Sequence, residues 1–246
     1  METKNLLPRV WEVPQVFRDR LGSSVGRQRA MAADGHLLLV LHVPPEPDEV
    51  TRQGRFLWRK PDGTWTSNDL GGGSQVVAKH LDQFAKAIHD CDVWEEQAKT
   101  AEDYFAVLER LAPIQRSARN LHAVLQEARQ VCPEDRDLIN HRDRAYEIER
   151  TVELLQTETK NSLDLLIARR ADEQAKASRR MAASAHRLNL LAAFFFPLAA
   201  LSGILGVNLI HGFETFQPPL PFLAFVAASV ISGLILVSFV AAARRE

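Results

Sequence analysis

Two long apolar stretches occupy the C-terminal part of the chain. Residues 188–209 and residues 220–243 contain no formally charged side chain. An α-helix rises about 1.5 Å per residue, so about 20 apolar residues cross the hydrocarbon core of a bilayer. The pattern predicts two membrane-spanning helices joined by a short outer loop, residues 210–219. The alternative is two buried helices of a large soluble core, but such helices rarely run this long without a charge.

Basic residues lie on one side of both predicted spans. Arg179, Arg180 and Arg187 precede the first span, and two more arginines stand in the tail, residues 244–246. The outer loop has neither Lys nor Arg. The positive-inside rule therefore predicts a multi-pass protein of the plasma (inner) membrane, with both termini in the cytoplasm and a basic cytoplasmic tail.

The N-terminal part of the chain shows the short-period pattern of strands. Candidate strands are residues 10–17, 29–43 and 55–66. Within the second of these, residues 36–43 form an apolar run typical of a strand buried on both faces. Residues 1–73 are therefore predicted to be the β-rich part of an α+β cytoplasmic domain.

From residue 74 the pattern has the three- and four-residue spacing of amphipathic helices. Residues 74–132 are predicted to be the helical part of the same domain, with an interruption at Pro113. Pro133 suits the first turn of a new helix, and residues 133–187 are predicted to form one long stalk helix. The stalk has a packed apolar seam, whose simplest neighbours are copies of the same helix. The seam consists of Leu138, Ala145, Ile148, Val152, Leu155, Leu163 and Leu166.

Composition narrows the class of function. The formal net charge is −1, so no strong basic field indicates nucleic acid as a partner. The two cysteines, Cys91 and Cys132, fit a reducing compartment, and their separation excludes a zinc site built on a cysteine pair. The sequence has no hydrolase or kinase signature and no phosphate-binding loop, so neither an enzyme nor a bound cofactor is predicted.

A short motif at the end of the first predicted span resembles the CorA superfamily of divalent-cation transporters. That family ends its first membrane helix with a Gly-x-Asn tripeptide, preceded at set distances by a Pro-Leu pair and a further glycine. Pro197, Gly203, Gly206 and Asn208 match this arrangement. The resemblance implies a homopentameric funnel. In it the first spans line a central pore, the second spans form an outer ring, and the long helices continue the pore into the cytoplasm.

The resemblance also implies roles for individual residues. Gly206, Val207 and Asn208 would form the ion selectivity motif, with a ring of Asn208 amides at the outer mouth. Neutral carbonyl oxygens suit a hydrated Mg²⁺ ion, which dehydrates reluctantly. Alignment to the motif places further residues along an apolar pore, which would gate by dewetting. These pore-lining residues are Ala185, Leu188, Ala192, Phe196 and Ala199.

The chain departs from the family pattern in ways that bear on the ion. Val207 stands where the magnesium transporters have Met, as in the ZntB-like members, and Glu214 is the only acid left in the outer loop to attract cations. Family members often sense intracellular metal with acidic residues on the lower stalk. The candidates here are Asp164, Asp172 and Glu173, although a solvated charged face also explains each of them.

The predicted function is a channel or transporter for a divalent metal cation, Mg²⁺ or Zn²⁺, that assembles from copies of the same chain in a lipid bilayer. The alternative is a membrane-anchored oligomeric scaffold or regulator with the same fold and little or no ion flux. Arg179, Arg180 and Arg187 would repel a dication if they faced the pore and would contact lipid headgroups if they faced outward. A conductance that depends on Asn208 separates the two functions.

Overall fold

The computed structural model describes residues 6–47, 49, 51–205 and 219–242. The chain divides into two units, Met1–Ala168 and Arg169–Glu246. The strands are β1 (Arg29–Ala33), β2 (His36–His42), β3 (Gly54–Arg59) and β4 (Trp65–Ser67). The helices are α1 (Gln15–Asp19), α2 (Val76–Gln97), α3 (Ala101–Val131), α4 (Arg136–Leu205) and α5 (Leu220–Ala242). The architecture is mostly helical with a small sheet, so the predicted α+β class holds, and α4 contributes to both units.

The four strands form one antiparallel sheet in the order β1-β2-β3-β4. Ala33 pairs with His36 across a two-residue turn, in which Asp34 and Gly35 have φ angles of 51° and 77°. Positive φ at both turn positions matches the right-handed twist of the flanking strands, and an Asp-Gly pair tolerates it at low cost. The predicted strand over residues 29–43 is therefore a hairpin of two strands.

The central strand β2 lies between two hydrophobic cores. Leu37, Leu39 and Leu41 belong to a core shared with α2, α3 and the first part of α4, whereas Leu38 and Val40 belong to a second core under the N-terminal segment. Successive strand residues point to opposite faces, so burial on both faces requires a continuous apolar run. The prediction that this run is a strand buried on both faces is confirmed.

The prediction of a strand over residues 10–17 is wrong. This segment turns and then enters the short helix α1, which begins directly after Pro14. Its apolar residues, Trp11 and Phe17 among them, cover the outer face of the sheet. Arg18 holds the bend by donating hydrogen bonds to the carbonyl oxygen of Trp11 at 2.8 Å and to that of Pro8 at 3.3 Å. Short apolar runs do not distinguish a strand from a turn and helix by periodicity alone, and packing on the sheet decides between them.

The expected interruption at Pro113 does not occur, because α3 runs through it as one helix. Proline removes one intrahelical hydrogen bond and normally kinks or ends a helix. Here Pro113 is buried between Leu111 and Ile114, which are also buried in the main core. The burial of this helix face offsets the lost hydrogen bond.

The long helix starts slightly later than Pro133 predicts. α4 begins at Arg136, and the carboxylate of Asp135 caps it by accepting hydrogen bonds from the backbone N–H groups of Asp137 at 3.0 Å and Leu138 at 3.3 Å. Asp is among the strongest N-cap residues, because its oxygen satisfies an N–H group of the first turn. The same carboxylate forms a salt bridge with Arg59 at the end of β3, at 2.8 Å.

The apolar seam of the stalk has neighbours within its own chain. From Leu138 to Leu155 the seam residues belong to the same core as the inner faces of α2 and α3. Thr159, which interrupts the apolar pattern, is fully buried, and its hydroxyl donates to the carbonyl oxygen of Leu155 at 2.7 Å. The expectation that copies of the helix cover this part of the seam is therefore wrong: α2 and α3 supply the partner surface.

The second unit contains the end of α4 and the apolar helix α5. By length and composition, two of the described helices could cross a membrane, namely those that contain Arg136–Ile204 and Phe222–Ala241. In α4 this property belongs to the C-terminal part, because the N-terminal part is charged and packs in the first unit. The contacts between these two helices determine which faces of α4 and α5 stay exposed.

Candidate functional site

The end of α4 and the middle of α5 lie in close contact at Phe194 and Gly233. A Cβ atom placed on Gly233 would lie 2.9 Å from the carbonyl oxygen of Phe194 and 3.2 Å from its Cδ2 atom. Gly233 and Ser229, one helical turn apart, are both buried, and the Ser229 hydroxyl has no hydrogen-bond partner among the described residues. Small residues let helix backbones approach closely. The pair Ser229 and Gly233 predicts a packing face in the sequence, and the structure confirms it.

The face of α4 towards α5 is recognisable from burial. Each residue of an α-helix turns the side-chain direction by about 100°. Between residues 190 and 201, all the half-buried side chains but one lie within about 60° of the direction of Phe194, and the exception is Ala193 at about 100°. Those within 60° are Leu190, Phe194, Pro197, Leu198 and Leu201.

The residues predicted to line a pore lie on the opposite face of the same helix. Their directions differ from that of Phe194 by about 120° to 180° when each step contributes about 100°. All of them are exposed in the single chain, Phe196 by 73% and Leu188 by 65%. The structure thus places one aligned set on the side of α4 that α5 leaves free. The set is Ala185, Leu188, Ala192, Phe196 and Ala199.

The other residues of the predicted pathway are not part of the described structure. Gly206, Val207 and Asn208 follow Leu205 directly in the sequence, and Glu214 comes six residues after Asn208. These four residues lie outside the described residues.

The predicted metal-sensing acids are solvent-exposed in the single chain. The Asp172 carboxylate forms an ion pair with Lys176 one turn later at 2.6 Å, and both side chains are more than 60% exposed. Asp164 and Glu173 are exposed as well. Over the residues that the structure describes, no group of three or more His, Cys, Asp or Glu side chains is arranged to hold a metal ion. A sensing site built on these acids would need ligands from a second copy.

A buried polar cluster in the first unit escapes sequence reasoning. The Arg55 guanidinium donates to both Asp69 oxygens at 2.7–3.0 Å, to Nδ1 of His80 at 2.8 Å and to the Gln83 side-chain oxygen at 2.6 Å. His80 is completely buried, and Arg55 is 4% exposed. The cluster joins β3, the segment after β4 and α2 into one network. The only sequence signal was a histidine within the apolar stripe of a helix.

Electrostatics fixes the protonation states in this cluster. Burial, and then the positive charge of Arg55, lower the pKa of His80 to about 3, so the ring is neutral at physiological pH. Because a guanidinium only donates, Nδ1 of His80 accepts and Nε2 carries the proton. Burial alone would raise the pKa of Asp69, but hydrogen bonds from Arg55 and Ser67 outweigh it, so the net pKa is lowered. The buried neutral ring thus accepts from Arg55 at Nδ1, while its Nε2 has no hydrogen-bond partner among the described residues. Its contact with Arg55 ties β3 to α2.

The fold and the two apolar helices define the class of the chain as a membrane protein. The long helix α4 begins in the α+β unit, and its apolar C-terminal part pairs with α5. A family model described as "CorA-like Mg2+ transporter protein" matches residues 73–245. The chain therefore belongs to this family of divalent-cation transporters.

Solved structures share the fold at low sequence identity. The cytoplasmic domain of ZntB from Vibrio parahaemolyticus RIMD 2210633 is 13% identical and has a TM-score of 0.53, and the match covers 65% of this chain and 80% of that one. The full-length CmaX protein is also 13% identical, with a TM-score of 0.54, and the match covers 93% of this chain and 81% of that one. No curated protein matches the sequence. These likenesses concern the fold, and the family model carries the assignment to transporters.

Proposed function

We propose that the protein moves a divalent cation through a pore formed by five copies of the chain, with the C-terminal part of α4 lining it. One observation supports this most directly. In a member of a transporter family, an aligned row of small and apolar side chains lies on the face of α4 that points away from α5. A ring of such hairpins, with α4 inside and α5 outside, directs this row towards the axis.

The composition of the row suits close packing around an axis. Ala185, Ala192 and Ala199 recur at seven-residue intervals and are exposed in the single chain. In membranes, association of helices depends on small residues that let backbones approach, because lipid tails already satisfy larger apolar side chains. Phe196 and Leu188 lie between the alanines and would narrow the passage. An apolar constriction of this kind gates by losing its water.

The outer mouth is proposed from the sequence motif. A ring of Asn208 side-chain amides would offer neutral oxygens to an ion that keeps its hydration shell, as Mg²⁺ does. Gly206 would let the backbone turn at the helix end, and Val207 would pack the collar. Copies of Glu214 would raise the local concentration of cations. The description of the family model names Mg²⁺. Val207, in place of Met, resembles the ZntB-like members of the family. Both Mg²⁺ and Zn²⁺ are therefore candidate substrates.

The proposed location of the protein is the plasma (inner) membrane. In the proposed orientation, the first unit and both termini lie in the cytoplasm. Arg187 and the arginines before it flank the first span, and the tail carries two more. The uncharged stretch from residue 188 to residue 209 then crosses the bilayer. A role for Asp164, Asp172 and Glu173 in sensing cytoplasmic metal stays a prediction, and it requires an interface between copies.

The test is ion entry into liposomes that carry the purified full-length protein. Entry of Mg²⁺ and of Zn²⁺ is measured for the native chain, for Asn208→Ala and for the control Asn161→Ala, an exposed asparagine of α4 in the first unit. We expect entry of at least one ion with the native chain and the control, and background entry with Asn208→Ala. Background entry with all three proteins would overturn the transport proposal and favour the oligomeric scaffold or regulator.

A further inference from the structure

The basic residues before the first span share one face of α4. Arg187, Arg180 and Lys176 precede Phe194 by 7, 14 and 18 residues. At about 100° per residue their directions lie within about 40° of the direction of Phe194. Phe194 faces α5, so these three basic side chains lie on the side of α4 that α5 flanks. The side chains of the predicted pore row point the other way.

The contact between Phe194 and Gly233 also sets the level of these residues along the helix axis. Phe194 lies 11 residues before the end of α4, and Gly233 lies 13 residues after the start of α5, as expected for an antiparallel hairpin. α5 ends at Ala242, nine residues beyond Gly233, which corresponds to the level of Ala185 on α4. Arg187 therefore lies beside the last turn of α5. Arg180 and Lys176 lie beyond the end of α5. Along the axis of α4 they are about 10 Å and 16 Å from Arg187.

Little within the chain neutralises this basic face. Neither Arg180 nor Arg187 forms an ion pair with any residue that the structure describes, and both are exposed. Lys176 is paired with Asp172. Between Glu173 and Glu214 the sequence contains no acidic residue. Two exposed guanidinium groups without an ion pair among the described residues therefore lie on one helix face, where they can attract an anionic partner.

We propose that Arg187 binds the phosphate group of an acidic phospholipid at the cytoplasmic surface of the bilayer, and that the positive charge of Arg180 strengthens this binding. The level of Arg187, at the end of the apolar stretch and beside the end of α5, is that of the headgroups. The guanidinium of Arg187 donates two hydrogen bonds to one headgroup phosphate, a geometry that arginine supports and lysine does not. Arg180 lies on the same helix face, two turns further from the apolar stretch, and its positive charge adds to the attraction for the anionic surface. This inference rests on the proposed membrane orientation but not on ion flux.

The binding of acidic lipid is measured with the full-length protein in phosphatidylcholine vesicles that contain a minor fraction of phosphatidylglycerol. Spin-labelled phosphatidylglycerol and spin-labelled phosphatidylcholine report the relative association constants of the two lipids at the protein surface. Each basic residue near an anionic surface contributes about 1 kcal/mol, which corresponds to about five-fold in association. We expect the native chain to prefer phosphatidylglycerol by about five-fold or more, and Arg180→Gln/Arg187→Gln to lose most of this preference.

The matched control is Arg169→Gln/Arg170→Gln, which removes the same charge from exposed positions of the same helix. Arg170 precedes Arg187 by 17 residues, about 25 Å along the axis, and lies outside the reach of the headgroups. The control should keep the preference of the native chain. The proposal would be overturned if the Arg180→Gln/Arg187→Gln variant preferred phosphatidylglycerol as strongly as the native chain does. It would also be overturned if the control lost as much of this preference as that variant. A preference for phosphatidylglycerol in a protein that shows no ion flux would support the lipid proposal and contradict the transport proposal.

Discussion

The Arg55 guanidinium donates a hydrogen bond to Nδ1 of His80 at 2.8 Å, in the interior of the first unit. Burial, and then the positive charge of Arg55, lower the pKa of His80 and keep its ring neutral, and the contact ties β3 to α2. A neutral acceptor is favoured there, since a protonated ring would place a second positive charge beside the buried Arg55 guanidinium. We expect this pair to limit the stability of the first unit at low pH.

Stability of the first unit should fall as the pH falls from about 6.5 towards 3. His80 has a folded pKa of about 3 against an ordinary value of 6.5, so the unfolded chain binds one more proton at this residue within that window. The contribution of the neutral His80 to the free energy of unfolding is fully present above pH about 6.5 and is lost as the pH approaches 3. Within this window the free energy of unfolding changes by at most about 1.4 kcal/mol per pH unit. His80→Gln should remove this component of the slope.

The four tryptophans, Trp11, Trp58, Trp65 and Trp94, all lie in the first unit, so their fluorescence during denaturant unfolding of the full chain reports that unit. His89→Gln, an exposed histidine on the same helix, is the control and should retain the native slope. If the slopes of the native chain and His80→Gln coincide, the pair does not set the acid limit.

Asp135 combines two roles that substitution can separate. Its Oδ2 pairs with Arg59 at 2.8 Å, and its Oδ1 caps α4. Asp135→Ala should lower the free energy of unfolding by about 2–4 kcal/mol, since it removes both the cap and a partly buried charged hydrogen bond. Asp135→Asn keeps a good capping residue and should cost about half as much. Denaturant unfolding followed by tryptophan fluorescence measures both, with the exposed Asp137→Asn as the control. Equal losses for Asn and Ala would show that the cap contributes little.

A larger side chain at Gly233 should separate α5 from α4. The Cβ atom alone would come within 2.9 Å of the Phe194 carbonyl oxygen, a backbone atom that cannot rotate away. Overpacking of this kind costs about 1–3 kcal/mol. Gly233→Leu should therefore lower the temperature at which the detergent-purified protein loses its native size-exclusion peak. Ala228→Leu, at an exposed position of α5, should leave that temperature close to the native value. An unchanged midpoint for Gly233→Leu would contradict the close contact.

A polar residue at Phe196 should raise ion entry. Phe196 is the bulkiest member of the predicted pore row and is 73% exposed in the single chain. An amide at this level keeps water in the constriction and lowers the dewetting barrier. Phe196→Asn should therefore increase the entry of the transported ion into liposomes several-fold. Phe239→Asn in α5, exposed by 71%, is the matched control and should not increase entry. A rise in both variants would indicate general leakage through a damaged hairpin.

The sequence alone determines the features that depend on local pattern. The two apolar stretches, the seam of the long helix from Leu138 onward and the doubly buried strand β2 follow from composition and period, because each residue's side-chain direction is set within a few positions. The motif from Pro197 to Asn208 likewise indicates the family without any knowledge of contacts, and the family model confirms that assignment.

The tertiary structure decides what depends on residues far apart in the chain. Arg55, Asp69 and His80 meet only because the sheet packs on α2, and no periodic pattern records such a meeting. The N-terminal segment takes a turn and helix because its apolar side chains cover one face of the sheet. The direction of Arg180 and Arg187 is undefined until Phe194 contacts Gly233, since a helix alone has no inside or outside. Packing between elements supplies that reference, and with it the distinction between the face of α4 towards α5 and the opposite face.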